Sequence, residues 1–402
     1  MNKKIVGFVV LFLFLFTNFC YAKNWKKHVI GHQSSPIYLY VKDIDHDGHL
    51  DIVTSTNMHW GPPYNSEIAW FQNNTDRSGE WNKFIISSSS PESDPIQNSN
   101  GVVVDDIDGD GLDDVVVGTG AVAPDGLPGN VYWFRAPVDP TDEWERFLVC
   151  SDANNDYFKM YTMDVNKDGM QDIVSGGNAG TNVFINPGHY GNADCWRREP
   201  LPGVTGSSLY LDDMDGDQRT DIINSYLGDD DYLGSISWFK VDDKGNNITF
   251  ERTDIDSEVF NPFDVSSLDV NGDEKKDVVV TIFQGMAICW YEAPEKKGGL
   301  WTQHLVSDTF NGTDIYAGDI NGDKQDDIVV SGLFINKISW FETTSDNGDI
   351  QWVEHLIDDE ITWPGDISLD DIDEDGDLDV VVVGMGEAQV IWYENKIAKS
   401  SK

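Results

Sequence analysis

The chain has 402 residues, 40% of them apolar and 12% aromatic, enough to bury a sizeable core and too many for a disordered acidic tail. Its formal net charge of -44 excludes nucleic acid and anionic membrane surfaces as partners. Metal cations, basic proteins and neutral ligands remain.

The first element is a leader. Residues 1–22 read "MNKKIVGFVVLFLFLFTNFCYA": two lysines, an apolar run, then a small-residue exit. This is the pattern of a signal peptide cut after Ala22, and the apolar run is short for a membrane span. The expected location is secreted or periplasmic. Three cysteines follow, Cys150, Cys195 and Cys289. A Cys150–Cys195 bridge would suit an exported chain, while Cys289, in "AICWYE", reads as a buried strand thiol.

A β run at Trp25, "WKKHVI", comes next, and then one unit recurs seven times. Each unit begins with a strand that runs into a nine-residue Asp motif. A Val/Ile run, a Trp-Phe run and a Trp-x-x-His run follow, separated by Gly, Asn, Asp and Pro. Successive motifs start 49 to 63 residues apart. No amphipathic helical window interrupts them. Four short strands repeated seven times predict an all-β fold, a seven-bladed β-propeller of four-stranded blades over residues 23–395, with a tail at 396–402.

The phase of the repeat carries a further expectation. The chain opens on a Trp-x-x-His strand and closes on the Trp-Tyr strand at Trp392, so the seventh unit lacks its fourth strand. The N-terminal strand should complete the last blade on its outer edge, leaving no open edge to aggregate.

Positions 1, 3, 5 and 9 of the motif hold oxygen-bearing side chains throughout. In chain order they are Asp43, Asp45, Asp47 and Asp51; Asp106, Asp108, Asp110 and Asp114; Asp164, Asn166, Asp168 and Asp172; Asp213, Asp215, Asp217 and Asp221; Asp269, Asn271, Asp273 and Asp277; Asp319, Asn321, Asp323 and Asp327; Asp371, Asp373, Asp375 and Asp379. Oxygen-only ligands at alternating positions suit a hard cation, and the absence of His and Cys from those positions disfavours zinc. Up to seven structural calcium ions are expected, one per loop. An EF-hand is excluded, because it needs a Glu at position 12 and flanking helices. Position 6 is Gly48, Gly111, Gly169 and Gly376 in four copies; in the other three, with Gln218, Glu274 and Lys324 there, the glycine stands at position 4 instead. Those three copies are expected to bind more weakly.

With these residues in view, the chain resembles the FG-GAP/VCBS repeat family, whose calcium loops also occur in integrin α-chain propellers. The resemblance spans about residues 25–395 and rests on the Asp-x-[Asp/Asn]-x-Asp-Gly-x-x-Asp loop before a Val/Ile strand. It implies seven blades with calcium between the first and second strands of each. The Phe-Gly and Gly-Ala-Pro signatures of integrins are mostly absent, so integrin-like ligand binding does not carry over. The family mixes adhesion, carbohydrate binding and catalysis, so fold alone does not assign a function.

A ligand site is expected on the face opposite the Asp loops. The loops there hold only two lysines, Lys159 and Lys337, and many carboxylates. That is poor provision for polyuronates or sulfated glycans, which need cations to hold them. The candidate ligand residues are His59, Trp60, Tyr64, Tyr157, Phe260 and Trp363, read as aromatic stacking surfaces and their neighbours. A binding or adhesion module for a glycan or an extracellular protein is expected. An exported lyase or hydrolase using that face is the alternative. His28, His304 and His355 recur at one repeat position and read as structural.

Overall fold

Strands form where β-branched runs meet turn residues, and the Val/Ile-rich second run of each unit indicates burial on both faces. The computed structural model describes residues 24–56, 66–75, 79–88, 96, 98–120, 129–152, 155–178, 180–188, 196–204, 208–228, 233–243, 247–346 and 349–397. All regular elements among them are strands, in seven four-stranded antiparallel sheets. Blade one is typical: Pro36–Lys42, Asp51–Thr56, Glu67–Gln72 and Asn82–Ser88, paired in that order.

The second strands explain the composition. Asp114–Thr119, Asp277–Ile282 and Asp379–Gly384 are buried at every residue, because each blade is covered on both faces by its neighbours. Apolar side chains of adjacent blades interlock there; Ile320 and Val329 of blade six, for example, share one core with Val380 and Ile391 of blade seven. Each fully buried Val or Ile contributes about 1.5–3 kcal/mol.

The ring closes as the phase predicts. Trp25–His32 pairs antiparallel with Gln389–Asn395, matching Trp25 to Asn395 and His32 to Gln389, and it lies on the outer edge of the last blade. Its His28 stacks on Trp392 at 4.2 Å and bonds Glu394 at 2.8 Å. His304 and His355 repeat the device on Trp290 with Glu292 and on Trp340 with Glu342. These histidines are structural cross-links between outer and third strands.

Candidate metal centres and the central channel

The seven Asp loops fold alike, and their own hydrogen bonds show why. The position 1 carboxylate accepts the amides of positions 5 and 6, as Asp43 does from Asp47 at 3.1 Å and Gly48 at 3.0 Å. Position 5 accepts the amide of position 7, as in Asp47 with His49 at 2.9 Å. Two backbone positions are left-handed in every copy. At position 6 this holds for Gly48, Gly111, Gly169 and Gly376, but also for Gln218, Glu274 and Lys324, whose φ is 67°, 66° and 75°. Position 4 is left-handed whether it is Gly216 or Lys167. The glycine at position 4 therefore does not replace the one at position 6, because the loop needs both turns and most copies force one with a side chain.

Position 9 does more than sequence reasoning assigned to it. All seven of these aspartates are fully buried. One oxygen caps the loop by accepting the amide of position 2, and the other accepts an amide at the end of the third strand. Asp51 does so with Ile44 (3.0 Å) and Asn73 (2.7 Å), and Asp114 with Ile107 (3.2 Å) and Ala136 (2.7 Å). Burial pushes these carboxyls up; Asp51 rises to about 7 against the pull of the two amides.

The donor chemistry fits a hard cation in part of the ring. In blades one, two, four and seven, one carboxylate oxygen from each of positions 1, 3 and 9 lies within 4.8 Å of the other two: Asp43, Asp45 and Asp51; Asp106, Asp108 and Asp114; Asp213, Asp215 and Asp221; Asp371, Asp373 and Asp379. Position 5 is outside that set. Blades three, five and six have Asn166, Asn271 and Asn321 at position 3, which offer a neutral oxygen and a lower ligand charge.

A second cluster fills the centre of the ring. Lys159, expected on a loop, instead lies in the innermost strand Tyr157–Met163 with its ammonium buried. It meets Asp314 at 2.6 Å, Asp264 at 3.2 Å and Asp366 at 3.9 Å, from the innermost strands of blades six, five and seven. Those carboxylates also stitch the strands together: Asp264 accepts the amide of Ile315, Asp314 that of Ile367 and Asp366 that of Leu39, at 2.9 to 3.1 Å. Burial pushes the Asp264 carboxyl up to about 7 and that of Asp314 to about 6, with Lys159 opposing. Burial alone would pull Lys159 down, but Asp264 and Asp314 outweigh it and hold the amine well above its ordinary value. All these carboxylates stand five residues before an Asp motif, where the other blades have Tyr38, Gly101, Lys159 and Ser208. That register was visible in the sequence, but its convergence was not.

Of the ligand residues expected on the face opposite the Asp loops, His59, Trp60 and Tyr64 lie outside the described residues; so does Cys195 of the expected bridge. Tyr157 is a correction: it is fully buried, edge-on to Phe184 at 5.9 Å, because its alternate-residue register turns it into the blade and not toward solvent. Phe260 ends a strand at 47% exposure and Trp363 is 51% exposed. The Trp363 backbone, at φ 51°, is pinned by Asn336 of blade six, whose Oδ1 accepts its amide at 2.9 Å. Sequence reasoning passed over a neighbouring run of rings: Phe263 and Phe283 lie 5.4 Å apart, and Phe283 and Phe334 5.3 Å apart, with Phe334 62% exposed. The available signal was a phenylalanine inside each short turn, "IFQGM" and "GLFIN". Lys337, the other lysine expected here, is spent in an ion pair with Glu354.

Residues 43–117 and 227–330 match the FG-GAP-like repeat family. No curated protein matches the chain. Among solved structures, an Agrocybe aegerita lectin described as recognising non-reducing terminal N-acetylglucosamine is 14% identical, with a TM-score of 0.52 over 91% of this chain and 87% of that one. The periplasmic gluconolactonase of Pseudomonas aeruginosa is 13% identical, with a TM-score of 0.55 over 84% of this chain and 88% of that one. At such identity the likeness concerns the fold. The chain is thus a seven-bladed β-propeller that carries FG-GAP-like repeats.

Proposed function

We propose that this chain is an exported propeller, clipped by calcium in its Asp loops, which binds a glycan or an extracellular protein on the opposite face. The observation that carries the reading is a set of exposed rings on blades five to seven: Phe334, more than half exposed on the run Phe283–Phe263, and Trp363, also more than half exposed and bonded through its amide to Asn336 two residues after Phe334. Aromatic faces stack on sugar rings, and exposed rings clustered in this way mark recognition surfaces. Of the two lysines expected on that face, Lys337 is paired with Glu354 and Lys159 lies in the channel paired with Asp314, which directs the search to neutral glycans. The lectin among the structural neighbours makes terminal N-acetylglucosamine a sensible first ligand to try.

Calcium would be held by positions 1, 3 and 9, most strongly in blades one and seven, where all three are carboxylates and no third-strand cation is bonded to them. It would neutralise the loop and hold the first and second strands at their turn, so its binding energy adds to folding. An exported carbohydrate-active enzyme is the second reading, favoured by the carboxylates Asp264, Asp314 and Asp366 at the channel. A glycan array in calcium and in chelator, run beside a sugar-release screen, separates the two. Binding without turnover that weakens at least tenfold in Phe334→Ala and Trp363→Ala supports the module. Product release that vanishes in Asp314→Asn, while the variant stays folded, overturns it.

A further inference from the structure

The seven loops differ in what the third strand sends toward them. The residue after the aromatic pair is Gln72 in blade one, Arg135 in blade two, Lys240 in blade four and Glu292, Glu342 and Glu394 in blades five to seven. In blade two, Arg135 Nε donates to Asp108 at 2.5 Å and Nη2 to Asp110 at 2.9 Å. In blade four, Lys240 Nζ donates to Asp215 at 2.5 Å and Asp217 at 2.6 Å. Each cation thus bridges positions 3 and 5, and position 3 is one of the three carboxylates that converge. In blade one the same place holds the neutral Gln72, on Asp45 at 2.6 Å. In blades five and six it is a carboxylate accepting from the position 3 amide: Asn271 to Glu292 at 3.1 Å and Asn321 to Glu342 at 3.2 Å. In blades two and four a cation thus stands opposite Asp, and in blades five and six an anion stands opposite Asn; blade seven has Glu394 on its third strand and Asp373 at position 3.

We infer that Arg135 and Lys240 are built-in counter-ions that do in blades two and four what a metal does elsewhere, so that at most five of the seven loops take calcium. The inference rests on the calcium reading above. A tethered cation already satisfies the loop without the entropy of capturing an ion, and a metal entering there must displace it and meet its repulsion at close range. Arg135 is held in two directions by its planar fork, a geometry a free ion would have to break. Asp108, its main partner, has a side chain only 1% exposed, so this pair is shielded from salt.

The test counts ions on the full chain. Chelated protein is titrated with calcium and with terbium, and bound ions are counted by native mass spectrometry. Wild type is expected to take five or fewer. Arg135→Gln and Lys240→Gln should each add one, whereas Lys83→Gln, which removes a cation paired to Glu67 away from any loop, should add none. Hydrogen exchange on unmutated protein provides a second measurement that needs no variant. Chelator should loosen residues 43–51 and 371–379 while leaving 106–114 and 213–221 unchanged. More than five ions in wild type, or equal chelator sensitivity in all four loops, overturns the inference. If wild type and both variants bind no ion, the calcium reading itself fails and takes this inference with it.

Discussion

Lys159→Met removes the ammonium that, among the described residues, is paired with Asp264, Asp314 and Asp366, while keeping most of the side-chain volume. Each carboxylate keeps its bond to a backbone amide, so the cost is uncompensated buried charge and not orphaned acceptors. Breaking a buried pair by removing one partner costs about 3–5 kcal/mol, and that is the loss expected at pH 8. The cost should depend on pH. Asp264 and Asp314 titrate at about 7 and 6, above the roughly 3.9 of an unfolded chain, so the folded state binds the extra protons. Their contribution is present at low pH and is lost as pH rises through about 4 to 7. Without Lys159 those values climb further, and at pH 5 protonation can neutralise much of the cluster. The loss should then shrink to about 1–2 kcal/mol. Urea denaturation of wild type and variant in calcium at both pH values measures it, and the difference between them cancels other titrating groups. Lys337→Met, which breaks the part-exposed pair with Glu354, should cost about 0–1 kcal/mol at either pH. A Lys159→Met loss below about 1 kcal/mol at pH 8, or equal at both pH values, refutes the reasoning.

Other consequences are open to direct measurement. Excess EDTA should lower the melting temperature markedly, and an unchanged melting curve would remove calcium from the account. Gln218→Gly, Glu274→Gly and Lys324→Gly should each stabilise by about 0.5–1 kcal/mol, since all three side chains sit at left-handed φ; destabilisation would show the loop conformation to be misread. Asp114→Ala orphans the amides of Ile107 and Ala136 and should cost about 1–3 kcal/mol for each, even in chelator. If chelated Asp114→Ala were as stable as chelated wild type, position 9 would be a metal ligand alone.

Much of the architecture was legible in the chain because a repeat states its period seven times. The order of strands, the Asp loop between the first two and the N-terminal strand completing the last blade all followed from local pattern and phase. The alternating oxygens of Asp43, Asp45 and Asp51 could be read as one ligand set because a tight turn brings near neighbours together. What needed the tertiary structure was anything decided across the ring. Lys159 meets Asp264, Asp314 and Asp366 over more than a hundred residues of chain because seven innermost strands share one axis, a relation that no window of sequence contains. Tyr157 and Phe334 were misjudged or overlooked for the same reason. Whether an aromatic side chain faces a neighbouring blade or water is set by packing between blades, and only Phe334 was left in solvent. The pairing of Arg135 with Asp108 depends likewise on where the third strand ends beside the loop, a distance that the fold sets and the spacing in sequence does not.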